Sequence, residues 1–169
     1  LLSNKYLYYY LTINDFSMLG SGILGKGSLN KKSLEQIKIP IPPIERQREV
    51  VKYLDFIYEN AIKTSSEKIA ELKMLNGFCL KSQKMSCDNE IKTLGEVCEF
   101  QNGSQLDKKN IIEGNIPVFG GGIKNVGFHN AHNRIGDETI VCGTGAYSGY
   151  VNYNHGNKFW ASQCFTIKS

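Results

Sequence analysis

Ile37-Lys38-Ile39-Pro40-Ile41-Pro42-Pro43-Ile44-Glu45-Arg46-Gln47-Arg48-Glu49-Val50-Val51 holds the change from strand to helix that organises this chain. Residues 37–41 alternate apolar and polar, as a short edge strand does. Pro40 cannot donate to a ladder, so an edge or a strand end is where it fits. Pro42 and Pro43 suit the first turn of a helix, where their missing N–H groups would be unpaired anyway. Glu45 and Glu49 follow, where the helix dipole favours carboxylates. Gly77 is then the one glycine before residue 80, and no proline occurs. The pattern predicts one long helix over about 43–80, roughly 55 Å at 1.5 Å per residue. Val51, Leu54, Tyr58, Ala61, Leu72, Leu75 and Cys79 fall on one heptad seam, interrupted by Ser65 and Lys68. A helix that long needs a partner helix. The alternative is a hairpin bent at Thr64-Ser65-Ser66.

On the N-terminal side, Tyr6-Leu7-Tyr8-Tyr9-Tyr10-Leu11 opens a helical segment reaching about residue 19. A Gly/Ser-rich loop, Gly20 to Ser28, and a short helical turn over 30–36 follow. On the C-terminal side the chain becomes Gly-rich, with short apolar runs at 97–100, 116–119, 139–142, 149–151 and 164–167. These read as strands separated by turns such as Asn102-Gly103 and Gly120-Gly121-Gly122. No helix is foreseen to cap the apolar face of this β segment. The fold class is therefore α+β, mainly β, in two pieces: 1–42 and 87–169, joined by a spacer helix over 43–86.

The formal net charge is +4. Residues 1–43 carry five Lys/Arg against two Asp/Glu, and residues 87–169 carry seven against eight. The positive excess lies early, with Lys26, Lys31 and Lys32, and permits a phosphate-contacting surface. The five cysteines, Cys79, Cys87, Cys98, Cys142 and Cys164, are odd in number and form no C-x-x-C pair. That argues against a disulfide framework or zinc knuckle and for reduced thiols in the cytoplasm. No apolar run is long enough to span a bilayer. The first residues have no secretory pattern and no starting Met, so a fragment or processed product is expected.

Catalytic patterns fail on inspection. Gly20-Ser21-Gly22-Ile23-Leu24-Gly25-Lys26-Gly27 nearly matches a P-loop, but Gly27 stands where a hydroxyl must hold Mg²⁺. Gly143-Thr144-Gly145-Ala146-Tyr147-Ser148-Gly149 has the wrong glycine spacing for a dinucleotide loop. His129 and His132 have no further ligands at zinc spacing, and His155 is remote in sequence, so no metal is expected. Cys142 with a histidine would suit a thiol nucleophile, yet it ends an apolar run and reads as a buried structural cysteine. No Asn-Pro-Pro-Phe/Tyr methyltransferase motif occurs.

Three passages together resemble type I restriction–modification specificity subunits. They are the Tyr6–Leu11 run followed by Gly20-Ser21-Gly22 and Asn30-Lys31-Lys32-Ser33-Leu34; the Ile37–Val51 stretch; and Thr93-Leu94-Gly95-Glu96-Val97 with Gly103 and Ile116-Pro117-Val118. The second is the most specific. The resemblance implies a target-recognition domain reading half of a split double-stranded DNA site, with a spacer helix as ruler. It also implies methylation subunits, which hold S-adenosylmethionine, and restriction subunits as partners, and no chemistry or cofactor in the chain itself.

In that family's plan, 1–42 resembles the end of one recognition domain and 87–169 the beginning of the next. The two pieces are thus permuted, and across a long helix they can hardly close on each other within one chain unless the helix bends back. The expectation is a two-fold homodimer, each chain completing the other, with the seam as contact. The competing expectation is a fragment of a two-domain subunit. A helical scaffold that binds methylation subunits without reading DNA is the alternative function. Candidate phosphate contacts are Lys26, Lys31, Lys32, Lys124 and Arg134, and candidate base contacts are Asn125, His129, Asn130, Thr144 and Tyr147.

Overall fold

The computed structural model describes residues 1–14, 29–61 and 89–169. The N-terminal piece contains helix α1 (Asn4–Ile13), helix α2 (Lys31–Glu35), strand β1 (Lys38–Ile41) and helix α3 (Ile44–Ala61). The second piece opens with strand β2 (Glu90–Thr93) and one helical turn, α4 (Leu94–Val97). Eight strands follow: β3 (Glu99–Asn102), β4 (Ile116–Phe119), β5 (Gly127–His129), β6 (Arg134–Ile135), β7 (Glu138–Cys142), β8 (Val151–Asn154), β9 (Lys158–Ala161) and β10 (Cys164–Lys168).

The strands make two four-stranded sheets, β3-β10-β7-β8 and β5-β4-β9-β6, and a separate β1-β2 pair. Alternation along β7 explains the layering. Val141 points to one face and packs with Phe100, Val151, Ile167 and the apolar side of α1. Ile140 points to the other face and packs with Phe159, Ala161 and Cys164. All five residues of β7 are buried because both faces of its sheet are covered.

Helix α1 is the cap that the sequence reading did not foresee. Tyr6, Leu7, Tyr10 and Leu11 are all buried. Tyrosine works here because its ring fills the core while its hydroxyl reaches a partner. Tyr10 Oη donates to the Lys38 carbonyl at 3.0 Å, and Tyr9 Oη to Asp55 Oδ1 at 2.5 Å. Burial and the Asp55 carboxylate together drive the Tyr9 phenol far above its ordinary range.

The two pieces close on each other within one chain, which corrects the exchange of halves between two chains. Strand β1 pairs antiparallel with β2, Lys38 opposite Thr93 and Ile41 opposite Glu90. The Leu94 N–H donates to the Ile37 carbonyl at 2.8 Å. At the far side, Asn4 Nδ2 donates to the Asp137 carbonyl at 2.7 Å, and the Ser169 N–H donates to Asn4 Oδ1 at 2.6 Å. The physical reason is continuity of the core: Tyr6, Leu7, Leu34 and Ile39 share one cluster with Leu94, Phe100, Val141 and Ile167. The residues joining α3 to β2, 62–88, are outside the described set.

Gln47, inside the deciding stretch, ties the ends of the N-terminal piece together. It is fully buried. Its Nε2 donates to the Leu1 carbonyl at 2.9 Å and the Pro42 carbonyl at 2.8 Å, and its Oε1 accepts from the Ser3 N–H at 2.8 Å. A buried carboxamide is tolerated because these bonds satisfy it.

The helix is described as far as Ala61, and its expected continuation to about residue 80, with Leu72, Leu75 and Cys79, lies outside the described residues. Leu54 of the seam is fully buried, and Val51 and Tyr58 are half-buried against the same core. Tyr58 stacks at 5.4 Å on Tyr9 of α1. These three positions therefore pack within their own domain. The side chain of Ala61 is outside the described set.

Candidate nucleic-acid interface

Three connections converge at one end of the two sheets. The hairpin 120–126 joins β4 to β5, the loop 143–150 joins β7 to β8, and the turn 162–163 joins β9 to β10. Cys142 Sγ, at the last residue of β7, donates to the Gly120 carbonyl at 3.3 Å and lies 3.5 Å from that of Gly122. A Cβ placed on Gly121 would sit 3.2 Å from the Thr144 carbonyl. The Gly143 carbonyl accepts from the Leu29 N–H at 3.0 Å, which brings the start of α2 to the same place.

The 143–150 loop keeps its shape through local bonds. Gly149 N–H donates to the Cys142 carbonyl at 2.8 Å, and Ser148 N–H to the Gly145 carbonyl at 3.1 Å. Gly145 and Gly149 have φ of 85° and 88°, which side-chain-bearing residues rarely adopt. The loop thus holds Thr144 and Tyr147 outward, with Tyr147 49% exposed.

The structure brings together some of the candidates read from the sequence. Lys124 and Asn125 sit exposed on the hairpin, beside exposed Thr144 and Tyr147. Lys31 and Lys32 begin α2, two and three residues after Leu29, and are exposed. Lys31 also pairs with Glu35 at 3.6 Å, a surface contact worth little energetically. The Asn30 side chain caps α2 by accepting from the Ser33 N–H at 2.9 Å. Lys26 and the loop around it lie outside the described residues.

Other candidates are placed elsewhere. His129 is buried, with Nδ1 3.0 Å from the Ile112 nitrogen, accepting its N–H, and its ring edge-on to Trp160 at 5.3 Å. It is a packing residue at the end of β5, not a base contact. Arg134 is a clamp between strands: Nη2 donates to the Asn102 carbonyl at 2.7 Å, Nη1 to the Asn133 carbonyl at 2.7 Å and Nε to Thr166 Oγ1 at 3.2 Å. These bonds take three of the five guanidinium N–H donors and turn the side chain toward β3 and β10. Asn130 is exposed but follows β5 at the end remote from the 120–126 hairpin.

The thiol reading also resolves. Cys142 is fully buried. Burial pushes its thiol up to about 11 and that of Cys164 up to about 12. Among the described residues no cluster of His, Cys, Asp or Glu is arranged to hold a metal ion, and no helix is long and apolar enough to cross a membrane.

Gln163 is the exposed polar residue at this end that the sequence reading missed. Its only sequence signal is a place between two apolar runs, 158–161 and 164–167, and the first of these was not recognised as a strand.

A family model described as the type I restriction modification DNA specificity domain matches residues 1–74 and 87–169. The chain is 32% identical over 147 residues to the type I restriction enzyme MjaVIII specificity subunit of Methanocaldococcus jannaschii, covering 76% of this chain and 34% of that protein. It is 46% identical over 54 residues to a type I restriction enzyme specificity subunit of Haemophilus influenzae, covering 32% of this chain and 14% of the relative. The crystal structure of a type I restriction-modification system S subunit from M. genitalium aligns with 99% of this chain and 49% of its own, at 21% identity and a TM-score of 0.46. The chain spans about a third of the length of the M. jannaschii relative. With nearly its whole length matched by one family model, the chain belongs to the type I restriction modification DNA specificity domain family.

Proposed function

We propose that this chain reads one half of a split site in double-stranded DNA and directs methylation and restriction subunits to it, without doing chemistry itself. The observation that carries the reading is the convergence of the 120–126 and 143–150 loops. They present Lys124, Asn125, Thr144 and Tyr147 together, all exposed. Cations and amides at one sheet end suit phosphate positioning and base-edge contact, respectively. The family description, a DNA specificity domain, supports this over a scaffold that binds methylation subunits without touching DNA. S-adenosylmethionine would be held by the methylation subunits.

Selection from a random duplex library tests the reading. Enrichment of one discrete sequence is expected, and recovery of unenriched sequence would sink it. The other half-site would be read by a second copy of this chain in a homodimer. Light scattering at micromolar concentration should give twice the chain mass, and a monomer would remove the homodimer.

A further inference from the structure

We propose that Gln163 is a base-reading residue of the recognition surface, contacting an adenine in the major groove. This rests on the DNA-reading function above and names a determinant of its specificity. Gln163 is exposed, while Ala161, Ser162 and Cys164 beside it are buried. A single side chain therefore projects from an otherwise enclosed turn.

The backbone of that turn is held from several sides. Ser162 N–H donates to the Phe119 carbonyl at 2.8 Å, and Ser104 N–H to the Ala161 carbonyl at 2.9 Å. Gly103 N–H donates to the Cys164 carbonyl at 2.9 Å, and Gly143 N–H to the carbonyl of Gln163 itself at 3.5 Å. Ser162 Oγ accepts from the Leu106 N–H at 3.0 Å. Gly103 is required for this closeness, since a Cβ there would lie 1.9 Å from the Ser162 carbonyl oxygen. The turn is thus fixed relative to both sheets, so binding has to order only the side chain.

The carboxamide itself makes no hydrogen bond among the described residues. Its Oε1 and Thr144 Oγ1 both lie within 4 Å of the point a Cβ on Gly121 would occupy. The amide therefore stands beside Thr144, level with the loops that carry Lys124 and Tyr147. A carboxamide offers one donor and one acceptor side by side, matching N7 and N6–H₂ of adenine on the major-groove edge.

The test compares the wild-type chain, Gln163→Ala and Lys124→Ala in the same random-duplex selection, with melting temperature measured for each. Gln163→Ala is expected to lose preference at one position, an A·T pair. It should bind duplexes changed there about equally, where the wild type discriminates by roughly tenfold. Its melting temperature and salt dependence should be unchanged. Lys124→Ala should weaken binding and keep the selected sequence. If Gln163→Ala selects the wild-type sequence unaltered, or loses preference evenly at every position, the assignment of Gln163 is overturned. If the wild-type chain itself enriches nothing, the DNA reading falls and Gln163 with it. That outcome is recognisable because it involves no variant.

Discussion

The two ends of this domain treat polar groups in opposite ways. Where α1, α3 and β1 meet, every polar atom of Gln47 has a protein partner, and the tyrosines of α1 send their hydroxyls to Lys38 and Asp55. At the loop end, the side chains of Lys124, Asn125, Thr144 and Gln163 are exposed and make no hydrogen bond among the described residues. The first arrangement fixes a unique fold, because a buried polar group without a partner costs more than a satisfied one gains. The second leaves donors and acceptors for another molecule. The difference teaches that polar composition alone does not mark a binding surface. What marks it is polar side chains left open on loops that backbone hydrogen bonds hold at their bases.

Gln47→Ala should show the largest effect. It strands the Ser3 N–H and the Leu1 and Pro42 carbonyls, and should cost about 2–3 kcal/mol of stability in urea unfolding. A loss below about 0.5 kcal/mol would mean that water replaces these bonds easily, and the contrast between the two ends would break. Arg134→Ala comes next. It removes a clamp between Asn102, Asn133 and Thr166, and should lower stability by about 1 kcal/mol while leaving the salt slope of DNA binding unchanged.

Lys124→Ala sharpens the contrast with Arg134. Stability should move by less than about 0.5 kcal/mol. The slope of log affinity against log salt should flatten by about 0.9, the value for one phosphate contact. An unchanged slope removes Lys124 from the surface. The smallest effect concerns the thiols. Cys98 and Cys164 are pushed up to about 12 and Cys142 to about 11, from an ordinary 9.0. At pH 8 the native protein should therefore resist alkylation at all three, as read by peptide mass. Folded thiols keep protons that unfolded ones release near 9.0, so stability should decline as pH rises past that point. Rapid labelling of Cys142 at pH 8 would revive a nucleophilic role.

The strands at 116–119, 138–142 and 164–168 were legible because each is a short apolar run between turn residues. The expected run at 97–100 is displaced, since Val97 ends a helical turn and β3 starts at Glu99. The run at 149–151 is likewise mostly loop, with β8 beginning at Val151. Strand β9 escaped notice because its pairing is non-local: Val118 of β4 faces Trp160 in a parallel register. Strand β2 is largely exposed, and its structure depends on β1, some fifty residues earlier.

The same distance in sequence explains the site. Lys124, Asn125, Thr144 and Tyr147 stood out as polar residues in Gly-rich loops, and the structure exposes them together. His129 and Arg134 carried the same signal, but their partners are Trp160, Asn102 and Thr166, about thirty residues away. Local pattern cannot distinguish a polar residue that faces solvent from one that meets such a partner. The closure of the two pieces was obscured for a related reason. A straight helix reading placed β1 and β2 far apart, whereas core continuity holds them together.

The Asn4–Ser169 contact has a topological consequence. Ser169 Oγ also donates to the Leu2 carbonyl at 2.7 Å, so residues 2–4 and 169 are neighbours in space. Which of the two pieces is translated first is then immaterial to the folded domain. A short peptide joining residue 169 to residue 1, with new ends opened between 61 and 89, would put the pieces in the reverse order and keep every contact described above.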